Sequence, residues 1–221
     1  MDVMKNKIYC IGDSHSKMFA KRYLPKEYIE LENYFKICHV GPSTAYNLTK
    51  TKTTTRGREK LFKILNTIPK KSTVMLFFGE VDCRLHLIKQ MERQGRSMGS
   101  ITKECVNRYF SVISEIIDMG FNVIVFNVVA STFLKKMSKR VPWYGDLKTR
   151  NKVSIKFNKY LSALCKDKEK CIFIDIFDKL INNKMKTRDK YYRDDVHLGA
   201  KAFPLVLGKM NKLIDNFNYR K

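Results

Sequence analysis

Five short apolar runs, each separated from the next by a longer stretch of different periodicity, restrict what this chain can fold into more than any other feature. Ile8–Ile11, Phe35–Val40, Val74–Phe78, Val123–Val129 and Ile172–Ile176 are rich in branched and aromatic residues. Strands buried on both faces read this way, so the runs predict a parallel sheet with both faces covered. Between them, Arg58–Ile68, Ile101–Met119 and Val153–Cys165 place apolar residues at three- and four-residue spacings, and Ala202–Phe217 does so after the last run. These segments predict the covering helices. Gly120 stands just past Met119 as a helix-ending glycine, and Gly57 and Gly79 punctuate other junctions. The alternation places the chain in the α/β class.

A length of 221 residues suits one substantial core. With no internal repeat and no Pro/Gly/Ser-rich linker, residues 1–221 are expected to form a single domain. Thr49–Arg58 reads as an exposed polar loop. Two connections are long and polar: Glu80–Gly99 after the third run, and Ser131–Arg150 after the fourth, which holds Pro142, Trp143 and Gly145. Connections of that length are usually functional or mobile. In open α/β sheets the ligand lies beyond the carboxyl ends of the strands, where both of these loops begin.

The charge is unusual, with 44 Lys and Arg against 21 Asp and Glu, a formal net charge of +23. Such an excess favours polyanionic partners, among them nucleic acid, anionic glycan and membrane surfaces. The basic residues are nevertheless spread from Lys5 to Lys221, and no nucleic-acid motif accompanies them, which argues against specific nucleic-acid binding. No stretch approaches the roughly 20 apolar residues of a membrane span, and the start of the chain lacks a signal-peptide pattern. Cys10, Cys38, Cys83, Cys105, Cys165 and Cys171 show no paired spacing and fall largely in apolar segments. The expectation is a cytoplasmic protein with reduced, buried thiols. The four histidines have no metal-ligand spacing, so no metal is expected.

Two blocks carry the chemistry. The first run leads into Gly12-Asp13-Ser14-His15-Ser16, which puts a serine on a strand-to-helix turn at the mouth of a sheet. Asp and Ser are also common helix caps, so this block alone is ambiguous. The second is Asp194-Asp195-Val196-His197, before the last helical segment. A carboxylate three residues before a histidine can hold its Nδ1–H while Nε2 faces a serine. A capped acidic turn would read the same way.

Taken together with Gly41 after the second run and Gly79-Glu80-Val81-Asp82 after the third, the blocks resemble the SGNH (GDSL-like) hydrolase superfamily over nearly the whole chain. The resemblance implies a three-layer α/β/α sandwich with a five-stranded parallel sheet in the flavodoxin-like order 2-1-3-4-5. It implies Ser14 as nucleophile, Asp194 and His197 as its partners, and an oxyanion hole built on Ser14 and Gly41. The family's third block is G-x-N-D, whose asparagine donates to the oxyanion; here Val81 stands in its place, and valine cannot donate. Arg84, a few residues on, is the expected substitute donor, the alternative being that it pairs with Glu80 or Asp82. The Gly79–Arg84 stretch is similar to G-E-I-D-C-R forms of glycan-associated relatives.

That resemblance implies a serine-dependent esterase or O-acyltransferase needing no cofactor, with an acyl ester or acyl donor and a carbohydrate as expected partners. Asp13, His15, Glu80, Asp82, His86, Trp143 and Tyr144 are candidates for substrate contact. A lipid esterase or thioesterase is the second enzymatic reading, and a non-catalytic module that binds acidic polymer is the rival from another class. The sequence leaves the oligomeric state open.

Overall fold

The structure, a computed structural model, describes residues 7–133 and 141–218 and, in the last helix, side chains up to residue 211. Residues 134–140 of the Ser131–Arg150 connection, residues 1–6, and the side chains that end the expected Ala202–Phe217 helix therefore lie outside the described residues.

Each of the five apolar runs forms a strand: β1 (Ile8–Gly12), β2 (Phe35–His39), β3 (Thr73–Phe77), β4 (Asn122–Phe126) and β5 (Cys171–Ile174). All pairings are parallel, and the order is β2-β1-β3-β4-β5. The helices are α1 (Gly57–Leu65), α2 (Leu87–Gln94), α3 (Met98–Asp118), α4 (Leu147–Lys166), the single turn α5 (Phe177–Leu180) and α6 (Phe203–Asn218).

The pleat sends alternate residues to opposite faces. Ile11, Val74, Leu76, Val123 and Val125 pack with Leu61 and Leu65 of α1, Val106 and Ile113 of α3, and Val153 and Phe157 of α4. Ile8, Cys10, Met75, Phe77, Ile124 and Phe126 pack on the other side, with Met18 and Phe19 after β1 and Phe203, Val206 and Met210 of α6. Two buried layers thus sandwich the sheet, and the strands read as continuous apolar runs because neither face meets water. All six cysteines are free, four of them buried, and among the described residues no helix is long and apolar enough to cross a membrane.

Two differences from the sequence expectation have local causes. The run Val123–Val129 leaves the sheet at Phe126, because asparagine side chains take over the backbone pairing there. Asn158 accepts from Val128 N–H and donates to the Val128 carbonyl, both at 2.8 Å, while Asn127 accepts from Ile176 N–H at 3.2 Å. The polar connection Glu80–Gly99 contains structure of its own, a π-helical turn Asp82–His86 running into α2. Leu87 and Ile88 are buried, Met91 packs beside them, and Gly95 (φ 60°) ends the helix in the left-handed conformation.

β1 approaches β3 so closely at its last residue that a Cβ on Gly12 would lie 2.2 Å from the Phe77 carbonyl oxygen. Backbone on a central strand cannot yield to such an overlap, so Gly12→Ala should lower unfolding stability by about 3 kcal/mol or more. Urea denaturation followed by circular dichroism would measure it.

Candidate active site

The register puts Gly12 opposite His39 on one side and Phe77 on the other. Pairing continues one step beyond the strands, with Val40 N–H donating to the Gly12 carbonyl at 2.8 Å and Asp13 N–H to the Phe77 carbonyl at 3.2 Å. Ser14, Gly41 and Gly79 therefore leave the carboxyl edge of three adjacent strands, with Ser14 on the middle one. Gly41 and Gly79 both hold positive φ, 98° and 108°, conformations that turn the chain sharply and exclude most side chains.

Asp13 caps the turn that follows. Its Oδ1 accepts the His15 N–H at 2.9 Å, and its carbonyl accepts the Ser16 hydroxyl at 2.8 Å. The cap opens the 3-10 segment Ser14–Phe19 and leaves Ser14 half-buried at its first position. Across the sheet edge, 183 residues later in sequence, His197 brings Nε2 to 2.7 Å from Ser14 Oγ. Both Asp194 carboxylate oxygens lie 2.9 Å from His197 Nδ1. The carboxylate accepts a hydrogen bond from Nδ1–H, which leaves Nε2 as the acceptor for the serine hydroxyl.

Asp194 also accepts the backbone N–H groups of Val196, at 3.0 Å, and His197, at 2.8 Å. Burial pushes its carboxyl upward, but these donors and the His197 ring outweigh it and hold it below the ordinary value. His197 sits below the usual imidazole value, first through burial and then through the charge of His15, against the opposing pull of Asp194. The shift favours the unprotonated ring.

The loop that carries this pair is tied to the rest of the sheet edge. Tyr192 donates its hydroxyl to the Ala130 carbonyl at 2.5 Å, Thr132 donates to the Asp195 carbonyl, and Arg193 N–H donates to the His197 carbonyl at 3.0 Å. Start and end of the connection after β4 thus meet different parts of the site, because Pro142 accepts a hydrogen bond from Arg84.

Arg84 stands differently from its expected role. Its Nε donates to Glu80 Oε1 at 2.6 Å, one Nη donates to Glu80 Oε2 at 3.2 Å, and the other donates to the Pro142 carbonyl. Both side chains are under a tenth exposed. A desolvated carboxylate one helical turn earlier is a stronger claimant for the fork than open solvent space beside Ser14. His15 completes the cluster, its Nε2 3.6 Å from Glu80 Oε2 and its ring centroid 5.0 Å from that of His197. Burial pushes Glu80 up, while His15 and Arg84 pull it down to about 2.

Asp82 serves the backbone. Fully buried, it accepts the N–H groups of Ala45 at 2.7 Å and Tyr46 at 3.2 Å, which ties the loop after Gly41 to the turn after Gly79. Burial raises its carboxyl to about 6 despite these donors. Exposed His86 lines a groove of about 330 Å³ together with Thr44, Tyr46, Gln90, Gln94 and Glu104. Tyr144 is taken up by α2, its hydroxyl donating to Glu92 and Lys89 lying over its ring. Trp143 carries the Arg150 guanidinium 5.0 Å from its ring centroid. Among the described residues, no three His, Cys, Asp or Glu side chains gather as a metal site requires.

No family model and no curated protein matches the chain. Solved structures do. A candidate acylhydrolase from Bacteroides fragilis matches with a TM-score of 0.61 at 16% identity, over 98% of this chain and 89% of that one. The acetyl xylan esterase AlAXEase matches at 0.53 and 18% identity, over 92% and 97%. The aryl esterase of M. smegmatis matches at 0.54 and 16% identity, over 96% and 99%. At such identities what is shared is the fold.

Breaking the buried pair by Arg84→Ala leaves Glu80 ionised and short of its main partner. The variant should lose about 3–5 kcal/mol of stability. Chemical denaturation at pH 7 would show it, and a loss within experimental error would mean that the pair is not buried in solution.

Proposed function

We propose that this chain, which has the SGNH-hydrolase fold, is a serine ester hydrolase working through an acyl-serine intermediate, with Ser14 as nucleophile, His197 as base and Asp194 as its orienting carboxylate. The observation that carries the reading is the unbroken hydrogen-bonded series from the Asp194 carboxylate through the His197 ring to Ser14 Oγ. A capped surface turn would account for Asp194 and His197 alone. It would not account for a serine from the far end of the chain placed on Nε2.

In this reading His197 Nε2 takes the Ser14 proton as Oγ attacks the ester carbonyl. The tetrahedral intermediate collapses, the alcohol leaves with the proton from His197, and the acyl group stays on Ser14. A second hydroxyl, from water or an acceptor, gives its proton to His197 as it attacks the acyl-serine; the bond to Ser14 Oγ then breaks, His197 returns the proton to Oγ, and the acyl product leaves. The N–H groups of Ser14 and Gly41, on adjacent strand ends, are the assigned oxyanion donors. Because Val81 cannot donate, this oxyanion hole is weaker than one with asparagine.

An acetylated or acetyl-accepting carbohydrate is the favoured substrate. Support comes from the groove lined by Asp82, Tyr46, His86, Gln90, Gln94 and Glu104, which lies beside the turn after β3 and not against Ser14, and whose amide, hydroxyl and carboxylate groups suit the mixed donors and acceptors of a sugar. The basic surface suits an anionic one. Transfer to a sugar hydroxyl differs from hydrolysis only in which hydroxyl is held near the acyl-serine, an advantage that positioning can make very large.

A fluorophosphonate serine probe should label the wild-type chain and fail on Ser14→Ala. Asp194→Asn should lower kcat for p-nitrophenyl acetate by about 10⁴-fold. Wild-type protein that neither reacts with the probe nor turns over any short acyl ester, yet binds polyanions in a salt-sensitive way, would support the binding module instead.

Replacing Val81 by asparagine should raise kcat by about tenfold or more, part of the 10²–10³ lost when such a donor is removed elsewhere. Steady-state kinetics on the same ester would measure the gain. Mass spectrometry of reactions run with an acetyl donor and candidate glycans separates the two outcomes: acetylated sugar marks transfer, and acetate release indifferent to glycan marks hydrolysis.

A further inference from the structure

The residue beside the nucleophile is a buried histidine with an anion on one side and the proposed base on the other. The His15 side chain is 9% exposed, as is that of Glu80, and the two meet at 3.6 Å. Glu80 is itself clamped in two places by Arg84, whose third contact is the Pro142 carbonyl. The other face of the cluster is His197, with ring centroids 5.0 Å apart. We propose that His15 is a positioning residue for the base: held against Glu80, it presents a buried positive charge to the His197 ring and keeps that ring unprotonated at mildly acid pH.

The two carboxylates beside the ring support a proton on His15. Asp13 and Glu80 both act on it, and the Glu80 carboxylate lies 3.6 Å from Nε2. Nearby anions favour the protonated imidazole. Burial alone would lower His15, but Asp13 and Glu80 outweigh it and raise it above the ordinary imidazole value, while burial pushes Asp13 up to about 6. Among the described residues, the charged and titratable groups facing His15 are Asp13 on its own turn, Glu80 and Arg84 after β3, and His197. Those facing His197 are Asp194 and Arg193 on its own loop and His15 across the cleft.

The sign of the effect follows from Coulomb repulsion. A cation beside His197 disfavours its protonated form, so the ring is free to accept the Ser14 proton at lower pH than it otherwise would be. The acid limb of activity then lies lower on the pH scale. The same charge makes Nε2 a weaker base, which exchanges some driving force for a wider working range.

The inference rests on the reading of His197 as the base, and the test separates the two. Histidine ring signals are followed by NMR through a pH titration of wild type, His15→Gln and Glu80→Gln, with the pH profile of kcat/KM for p-nitrophenyl acetate taken in parallel. In wild type, His15 should titrate above His197. Both substitutions should raise the His197 midpoint, by about one to two pH units for His15→Gln, and the acid limb should rise with it. His15→Lys, which returns a positive charge, should bring the midpoint back toward wild type, a recovery that a purely structural role for the ring would not produce. If His15→Gln does not fold, the wild-type order of midpoints and the Glu80→Gln shift decide. A His197 midpoint unmoved or lowered in the variants, or a wild-type His15 that titrates below His197, overturns the proposal. Because the midpoints are read without turnover, they stand apart from the triad reading, which fails if Ser14→Ala hydrolyses the ester as fast as wild type.

Discussion

Backbone pairing of β1 with a neighbour on each side is the constraint on which the site depends. The strand is central, its partners start in register, and their ends therefore coincide at Gly12, His39 and Phe77. Two further hydrogen bonds past the strand ends bind Asp13 to Phe77 and Val40 to Gly12. A serine two residues beyond Gly12 has little freedom left. Its place relative to Gly41 and Gly79 is decided by sheet geometry, which is the most rigid part of such a fold.

The large positive charge of the chain contributes little to this interior. The buried groups of the strand-end turns are of mixed sign: Asp13, His15, Glu80 and Arg84 face one another, and Asp82 is satisfied by two backbone N–H groups and the Cys105 thiol. Charges without water must be paired or hydrogen-bonded, which explains why the turn after β3 is helical and crowded with partners. The excess lysines lie mainly on the surface, where single ion pairs are worth about 0–1 kcal/mol and salt screens them. They bear on which substrate approaches, and hardly at all on how the site is built.

Asp82 and the Glu80–Arg84 pair divide the work of the third block between them. One ties the loop after Gly41 into place through Ala45 and Tyr46, and the other reaches Pro142 and so the connection after β4. That connection also meets the His197 loop through Ala130 and Thr132. Four loops, after β2, β3, β4 and β5, are thereby linked. Loops tied in this way hold the hydrogen bonds among Ser14, His197 and Asp194 in place.

Much of this was legible in the residues themselves. Five apolar runs sufficed for the strand count, since a run with no polar alternation has no solvent face to offer, and the resemblance of Gly-Asp-Ser, Gly41, Gly79 and Asp-x-x-His to the SGNH blocks implied one sheet edge and the meeting of Ser14, Asp194 and His197. Helix α2 left a weaker trace: Leu87, Ile88 and Met91 with Gly95 after them carry its signal, obscured by the charged residues around it. The partner of Arg84 could not be read at all. Its sequence neighbours allowed both Glu80 and the oxyanion, and only burial, which removes water as a competitor and makes an unpaired carboxylate costly, settles the fork on Glu80. The same holds for Asp82, which is fully buried. Local pattern determined which elements form and which residues lie at the strand ends, because those depend on periodicity and turn chemistry. The direction in which each polar side chain points was decided by tertiary contacts, because it depends on which groups far apart in sequence are desolvated together.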